Sequence, residues 1–342
     1  MQLPTGNQAK HRREWLKTVS YGLSAWWAAT SMAMGQNQNP NPAALQENGP
    51  ASELTKHLKR GQPTKFLISC TTIPYARFPK VRALQGIAEA GYSYVSWGTT
   101  HQDNGGDRTP FLAEDATPQA AKVLGQLCRD MKLTPISMLS LTSPEHKDAV
   151  KILTQRIQQA AAAGIPYLVT SGDARGFNRQ LWVERLKQIG RIAADNQVLV
   201  VITQQGGELG SGKACAEIVQ EINQPHIMVN FDAANVLSLL NIDPIPDLKT
   251  CAPLVRSITM KDHRLTPKKE DCGPGLGEID QYNLLGQVSH MGCDMPLCCE
   301  TVSAPLLPPP TKAEEIDALA RRARIFLELV VTGLQAPMSE ST

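Results

Sequence analysis

The stretch from Val198 to Asp232 decides the fold. It reads Val198-Leu199-Val200-Val201-Ile202-Thr203, then a polar turn, then Gly212 to Ile222 with apolar residues at helical spacing, then Ile227-Met228-Val229-Asn230-Phe231-Asp232. Both β-type runs are nearly continuous in hydrophobicity, as strands covered on both faces of a parallel sheet are. Two such strands joined through a helix form a crossover unit.

The same alternation continues in both directions. Upstream lie strand candidates at Phe66 to Cys70, Tyr94 to Trp97, Pro135 to Leu141 and Tyr167 to Ser171, and downstream at Val255 to Lys261 and Pro296 to Thr301. Between them run helical patterns over Lys80 to Ala90, Pro118 to Met131, Lys147 to Ala163, Gln180 to Asn196 and, at the end, Lys312 to Val331. Thr117-Pro118 supplies an N-cap followed by proline in the first turn, and Gly91 and Gly164 supply C-terminal stops. Repeated βα units of this number give an α/β chain folded as a (β/α)8 TIM barrel. An open doubly wound sheet has the same alternation, but no G-x-G-x-x-G follows the first strand, and the unusual polar residues fall at strand C-terminal ends, where a barrel gathers its site.

Outside this region, the N-terminus reads as an address rather than as fold. His11-Arg12-Arg13-Glu14-Trp15-Leu16-Lys17 precedes an apolar run over Thr18 to Thr30 and a small-x-small site at Ser31-Met32-Ala33. The order resembles a twin-arginine export signal. The expected division is a signal peptide over 1–33, a flexible tether over 34–62 rich in Asn, Gln and Pro, a barrel over 63–335 and a disordered tail over 336–342. Export implies a periplasmic or extracellular location, with no membrane association once the signal is cleaved.

The whole chain of 342 residues carries 34 Lys and Arg against 32 Asp and Glu, and loss of the signal leaves a nearly neutral body without a basic face. A nucleic-acid partner is not expected, because phosphate binding draws on clustered cations. The eight cysteines lack C-x-x-C metal spacing and read as small core residues. Cys298 and Cys299 point to opposite faces if they share a strand.

Three strand ends carry chemistry. Asp232, in Asn230-Phe231-Asp232-Ala233-Ala234-Asn235, closes an apolar strand and needs a partner, either a metal ion or loop hydrogen bonds. Asn235 caps the next helix or reaches a substrate hydroxyl. Lys261-Asp262-His263-Arg264 follows the seventh strand, and Glu300 follows Cys298-Cys299 in the eighth. In one barrel the two acids converge on one mouth.

These segments, together with Gly275-Leu276-Gly277-Glu278-Ile279-Asp280, resemble the D-x-x-N, H-x-K-D and G-x-G-x-[IV]-[DN] motifs and the last-strand glutamate of the xylose isomerase-like sugar phosphate isomerase/epimerase family. The resemblance implies a divalent metal (Mn, Zn, Co or Mg) held by Asp232 and Glu300, proton transfer next to a sugar carbonyl with Glu300 as base, and Lys261 stabilising enediolate charge. Asn235, His263, Arg264 and His101 are the candidate contacts to a small carbohydrate. The pattern departs at two expected ligands, where Thr203 and Thr259 stand. Gln204 or Gln205, or His101 and His263 from loops, would have to complete the shell. An abasic-site nuclease, which needs many more His ligands and a basic face, is set aside. Two functions lead: an exported isomerase or epimerase assisted by a metal, or a degenerate barrel that binds a sugar without turning it over; a lyase or hydrolase at the same mouth stays open, because fold does not fix chemistry. The oligomeric state is left open.

Overall fold

A computed structural model describes residues 54–103, 106–171 and 177–335. The expected signal peptide, most of the expected tether and the expected 336–342 tail lie outside these residues. Residues 54–62, placed by sequence in the expected tether, pack on the barrel: Leu54 is buried in the core, and the Gly61 N–H donates to the His290 carbonyl.

Eight parallel strands close into a barrel in the order β1 (Lys65–Thr71), β2 (Tyr94–Trp97), β5 (Thr134–Ser140), β6 (Tyr167–Ser171), β7 (Leu199–Thr203), β8 (Ile227–Asp232), β9 (Val255–Met260) and β12 (Asp294–Cys299), with β12 paired back onto β1. Two small hairpins stand outside this sheet: β3 (Thr100–Gln102) with β4 (Arg108–Pro110), and β10 (Asp262–Arg264) with β11 (Glu270–Cys272).

Among the described residues the strands are followed in turn by α1 (Lys80–Glu89), α2 (Pro118–Asp130), α3 (Ala149–Ala163), α4 (Arg179–Asp195), α5 (Gly212–Ile222), α6 (Pro244–Cys251), α7 (Gln281–Gly286) and α8 (Ala313–Gln335). Their starts follow from local side-chain chemistry. Thr117, Asn178, Ser211 and Asp280 each accept the backbone N–H three residues on, which satisfies a donor the helix cannot satisfy itself. Gly164 ends α3 in the left-handed region at φ 74°. The barrel expected from sequence is therefore present, and α6 and α7 are the helices that the apolar periodicity did not single out.

β8 and β9 are buried along their whole lengths. Their register shifts at Val229/Asn230, because Val229 faces Val255 while Asn230 faces Ser257, so Arg256 is the extra residue of a bulge. Beyond it, Asp232 stands opposite Thr259. Much of the barrel interior is small and polar. Ser69 Oγ lies 2.9 Å from Ser96 Oγ, and Cys298 Sγ lies 3.2 Å from Ser96 Oγ and 3.5 Å from Ser137 Oγ. All eight cysteines are unpaired and seven are buried. Burial pushes the Cys215 and Cys299 thiols up to about 12, which keeps them protonated.

Candidate functional site

The last residue of β8, Asp232, is a carboxylate with almost no solvent exposure. Asp232 Oδ1 accepts the Asn235 backbone N–H at 3.0 Å, and Oδ2 lies 3.1 Å from Lys261 Nζ. Lys261, one residue past β9, is 6% exposed. Its ammonium also donates to Glu300 Oε1 at 3.1 Å and lies 3.8 Å from Asp271 Oδ2 on the β10–β11 hairpin. One cation is thus shared by carboxylates from β8, from the end of β12 and from a hairpin.

Burial alone would lower the Lys261 pKa, but Asp232, Glu300 and Asp271 outweigh it and the pKa is raised, so the ammonium is a fixed charge. Burial pushes the Asp232 carboxyl up to about 6; Lys261 opposes this and Glu300 adds to it.

Thr203 and Thr259 belong to a separate layer just below. The Asn230 amide donates to both threonine hydroxyls at 2.9 Å, and its oxygen accepts the Ser257 hydroxyl at 2.6 Å. An amide carries two N–H donors, and the two threonines satisfy both inside the barrel. Their presence is a packing solution centred on Asn230, made of neutral groups.

Asp262 faces away from the mouth and organises a loop. It is wholly buried; Oδ1 accepts the His263 and Ile279 N–H groups at 2.9 and 3.1 Å, and Oδ2 accepts the Gly275 N–H at 3.1 Å. A Cβ on Gly277 would come within 2.2 Å of Asp262 Oδ1, and Gly275 has φ +74°. The two glycines let the 273–279 segment wrap this carboxylate, and Asp280 then caps α7. Two of the sequence motifs are in this way one structural collar.

Other expected site residues are placed as follows. The Asn235 side chain donates to the Gln204 carbonyl at 2.7 Å, which fixes the turn after β8. Gln204 Oε1 accepts the Asp232 N–H at 2.8 Å and the residue is fully buried, so it braces the site and is not available as a metal ligand. His263 Nδ1 meets Asp271 Oδ1 at 2.7 Å, which brings it beside the Lys261 cluster. Arg264 lies on the opposite face of β10 and donates to the Thr266 carbonyl from Nε and Nη2 at 3.2 and 3.1 Å, so it serves its own hairpin. His101 is corrected from a substrate contact to a buried strut. Its two ring nitrogens lie 3.1 Å from the Phe78 carbonyl and 2.9 Å from Thr72 Oγ1, its ring packs on Phe111, and burial lowers its pKa.

Asp271 was missed from sequence. It becomes visible only as the direct cross-strand partner of His263 in the hairpin.

A transition-metal or magnesium site needs several anionic or imidazole donors converging on one point. Among the described residues no three His, Cys, Asp or Glu side chains gather in that way. Asp232 and Glu300 share an ammonium 3.1 Å from each, so a dication between them would meet a buried positive charge. Thr203 and Thr259 are committed to Asn230. The donor set does not fit a divalent metal, and the expected metal role of Asp232, Glu300 and Gln204 is replaced by an ion-pair cluster.

The layout of strands and the residues matched by a family sequence profile agree: the profile of the xylose isomerase-like TIM barrel covers residues 84–322. The chain belongs to this family. No curated protein sequence matches it significantly. Among solved structures, a xylose isomerase-like TIM barrel/4-hydroxyphenylpyruvate dioxygenase fusion protein superposes with a TM-score of 0.61 at 17% identity; 82% of this chain is covered, and the chain spans only 46% of that protein. A xylose isomerase-like TIM barrel protein from Mycobacterium smegmatis in complex with magnesium gives 0.60 at 13% identity, covering 80% of this chain and 98% of the other. A D-allulose 3-epimerase from Methylomonas sp. in complex with D-allulose gives 0.57 at 16%, covering 79% and 99%. At these identities the likeness is one of fold. Magnesium is present in one relative, whereas in this chain a lysine stands between the two matching acids.

Proposed function

We propose that the barrel mouth binds a carbohydrate without a metal, through the fixed ammonium of Lys261 and the carboxylates of Asp232 and Glu300. The observation that carries this reading is Lys261 Nζ, 3.1 Å from each of the two acids. Carboxylates accept from sugar hydroxyls and the ammonium donates to ring, hydroxyl or carbonyl oxygens, each as a charge-assisted hydrogen bond. The D-allulose complex of a relative supports the ligand class. Two-sided proton transfer, as epimerisation uses, needs a second base, and β7 ends in Thr203, followed by Gln204, rather than in a carboxylate.

One contact favours a second reading, isomerisation by a single base. Glu300 would take the proton from the carbon next to the sugar carbonyl, the electron pair would move onto the carbonyl oxygen beside Lys261, and, as the neighbouring hydroxyl passes its proton to that oxygen and becomes the new carbonyl, Glu300 would return the carbon-bound proton to the former carbonyl carbon. Calorimetry with free aldoses and ketoses in the presence of a chelator is expected to show saturable binding. NMR in heavy water is expected to show no exchange of substrate C–H protons. Exchange that disappears in Glu300→Gln selects the single-base reading; a folded protein that binds no sugar in the panel rejects both.

The twin-arginine-type segment supports a place of action outside the cytoplasm. N-terminal sequencing of protein recovered from a host with a working twin-arginine pathway is expected to begin near Met34. Recovery of the intact N-terminus from the cytoplasm would count against export.

A further inference from the structure

Beside the mouth lies a cleft of about 270 Å³, bounded by the turn after β1, the loop after β12 and the first turns of α8. Ile73, Phe78, Val302, Pro309, Ile316 and Leu319 make most of its wall apolar. Glu300 lines it too, and through Oε1 the same residue holds Lys261, so the cleft and the ion-pair cluster share a wall. Arg77 and Arg108 complete the lining; both are exposed, and neither forms an ion pair with another described residue. Their neighbours differ: Lys80 is paired with Asp103, and Arg82 with Asp317 and Glu314.

We propose that this cleft is a second subsite, which takes an apolar acidic substituent carried by the sugar. The inference rests on the carbohydrate reading of the mouth. The volume falls just below the usual range for a whole drug-sized ligand, which suits one portion of a longer molecule. Apolar walls gain from covering an aryl or alkyl group, and planar guanidinium forks at the rim suit a carboxylate. Glu300 shares Lys261 with Asp232 and Asp271, so the attraction for an anion comes from the Arg77 and Arg108 guanidiniums at the rim, which outnumber the one carboxylate in the lining. A bare phosphate would use the arginines and leave the apolar wall in water. The preferred ligand class is therefore a glycoside of an apolar acid.

Calorimetry with the full chain would compare 4-carboxyphenyl, phenyl and methyl glycosides of each sugar that binds, together with the corresponding hexose phosphate. The carboxyphenyl glycoside is expected to bind at least tenfold more tightly than the phenyl glycoside, and the phenyl more tightly than the methyl. In Arg77→Ala/Arg108→Ala, with folding checked by thermal unfolding, the carboxyphenyl-to-phenyl ratio is expected to collapse towards one. A ratio near one in the unmodified chain, or one unaffected by the double substitution, overturns the proposal. A hexose phosphate that binds as tightly as the carboxyphenyl glycoside overturns the apolar part. If no glycoside binds, 4-hydroxybenzoate alone is tested by ligand-observed NMR. Arginine-dependent binding then upholds the acid subsite and places the failure on the carbohydrate reading, and no binding overturns the subsite as well.

Discussion

Replacing Lys261 by methionine is expected to lower stability by about 3–5 kcal/mol, because it leaves Asp232 and Glu300 as neighbouring carboxylates with no cation between them. Methionine fills much of the lysine stem, so the loss reports charge more than a cavity. The variant is expected to acquire what the parent lacks: magnesium, manganese or zinc should raise its Tm through binding to the folded state, while the parent Tm should not respond. Adding Glu300→Gln to Lys261→Met removes part of the repulsion, so the double variant should be less destabilised than the sum of the two single changes. Urea unfolding with and without each ion, and elemental analysis after dialysis, give these values. One dication held tightly by the parent and lost in Lys261→Met would sink the built-in-cation interpretation.

This expectation depends on a distance that no motif contains. From the chain alone, Lys261 stands two residues beyond Thr259, and Thr259 reads as a missing ligand. The structure shows why both can be present: Asn230 needs two acceptors inside the barrel and finds them in Thr203 and Thr259, while Lys261 reaches over this layer to the acids. Strand positions were legible because runs such as Val200 to Ile202 are buried on every residue, and burial on both faces leaves a continuous apolar signature. Helices α2 and α3 were legible through Thr117-Pro118 and Gly164. By contrast, α6 and α7 have 8 and 6 residues, too few turns for an apolar stripe, and their signals are only the Asp243 and Asp280 caps. The three-residue strands of the hairpins carry still less pattern, which is why the pairing of His263 with Asp271 was hidden. His101 misled for a related reason. Its sequence neighbours are polar, and only the packing of Phe111 against it and against Trp97 reveals a buried ring.

The collar around Asp262 leads to the second large effect. Asp262→Ala is expected to cost on the order of 3–5 kcal/mol, since the N–H groups of His263, Gly275 and Ile279 lose a buried acceptor side chain together. Asp262→Asn should fall between alanine and the parent. An asparagine oxygen in the place of Oδ1 still accepts from His263 and Ile279, but its NH₂ group then faces the Gly275 N–H, two donors in opposition. The damage should also spread to the mouth, because β10 carries His263 next to Asp262 and pairs with the strand that carries Asp271. Hydrogen exchange is therefore expected to rise first in residues 273–279 and in the β10–β11 hairpin, with β8 and β9 still protected, as local opening precedes global unfolding. Uniform loss of protection across the barrel, or no change in the hairpin, would show that Asp262 serves the core generally and does not position the residues around Lys261.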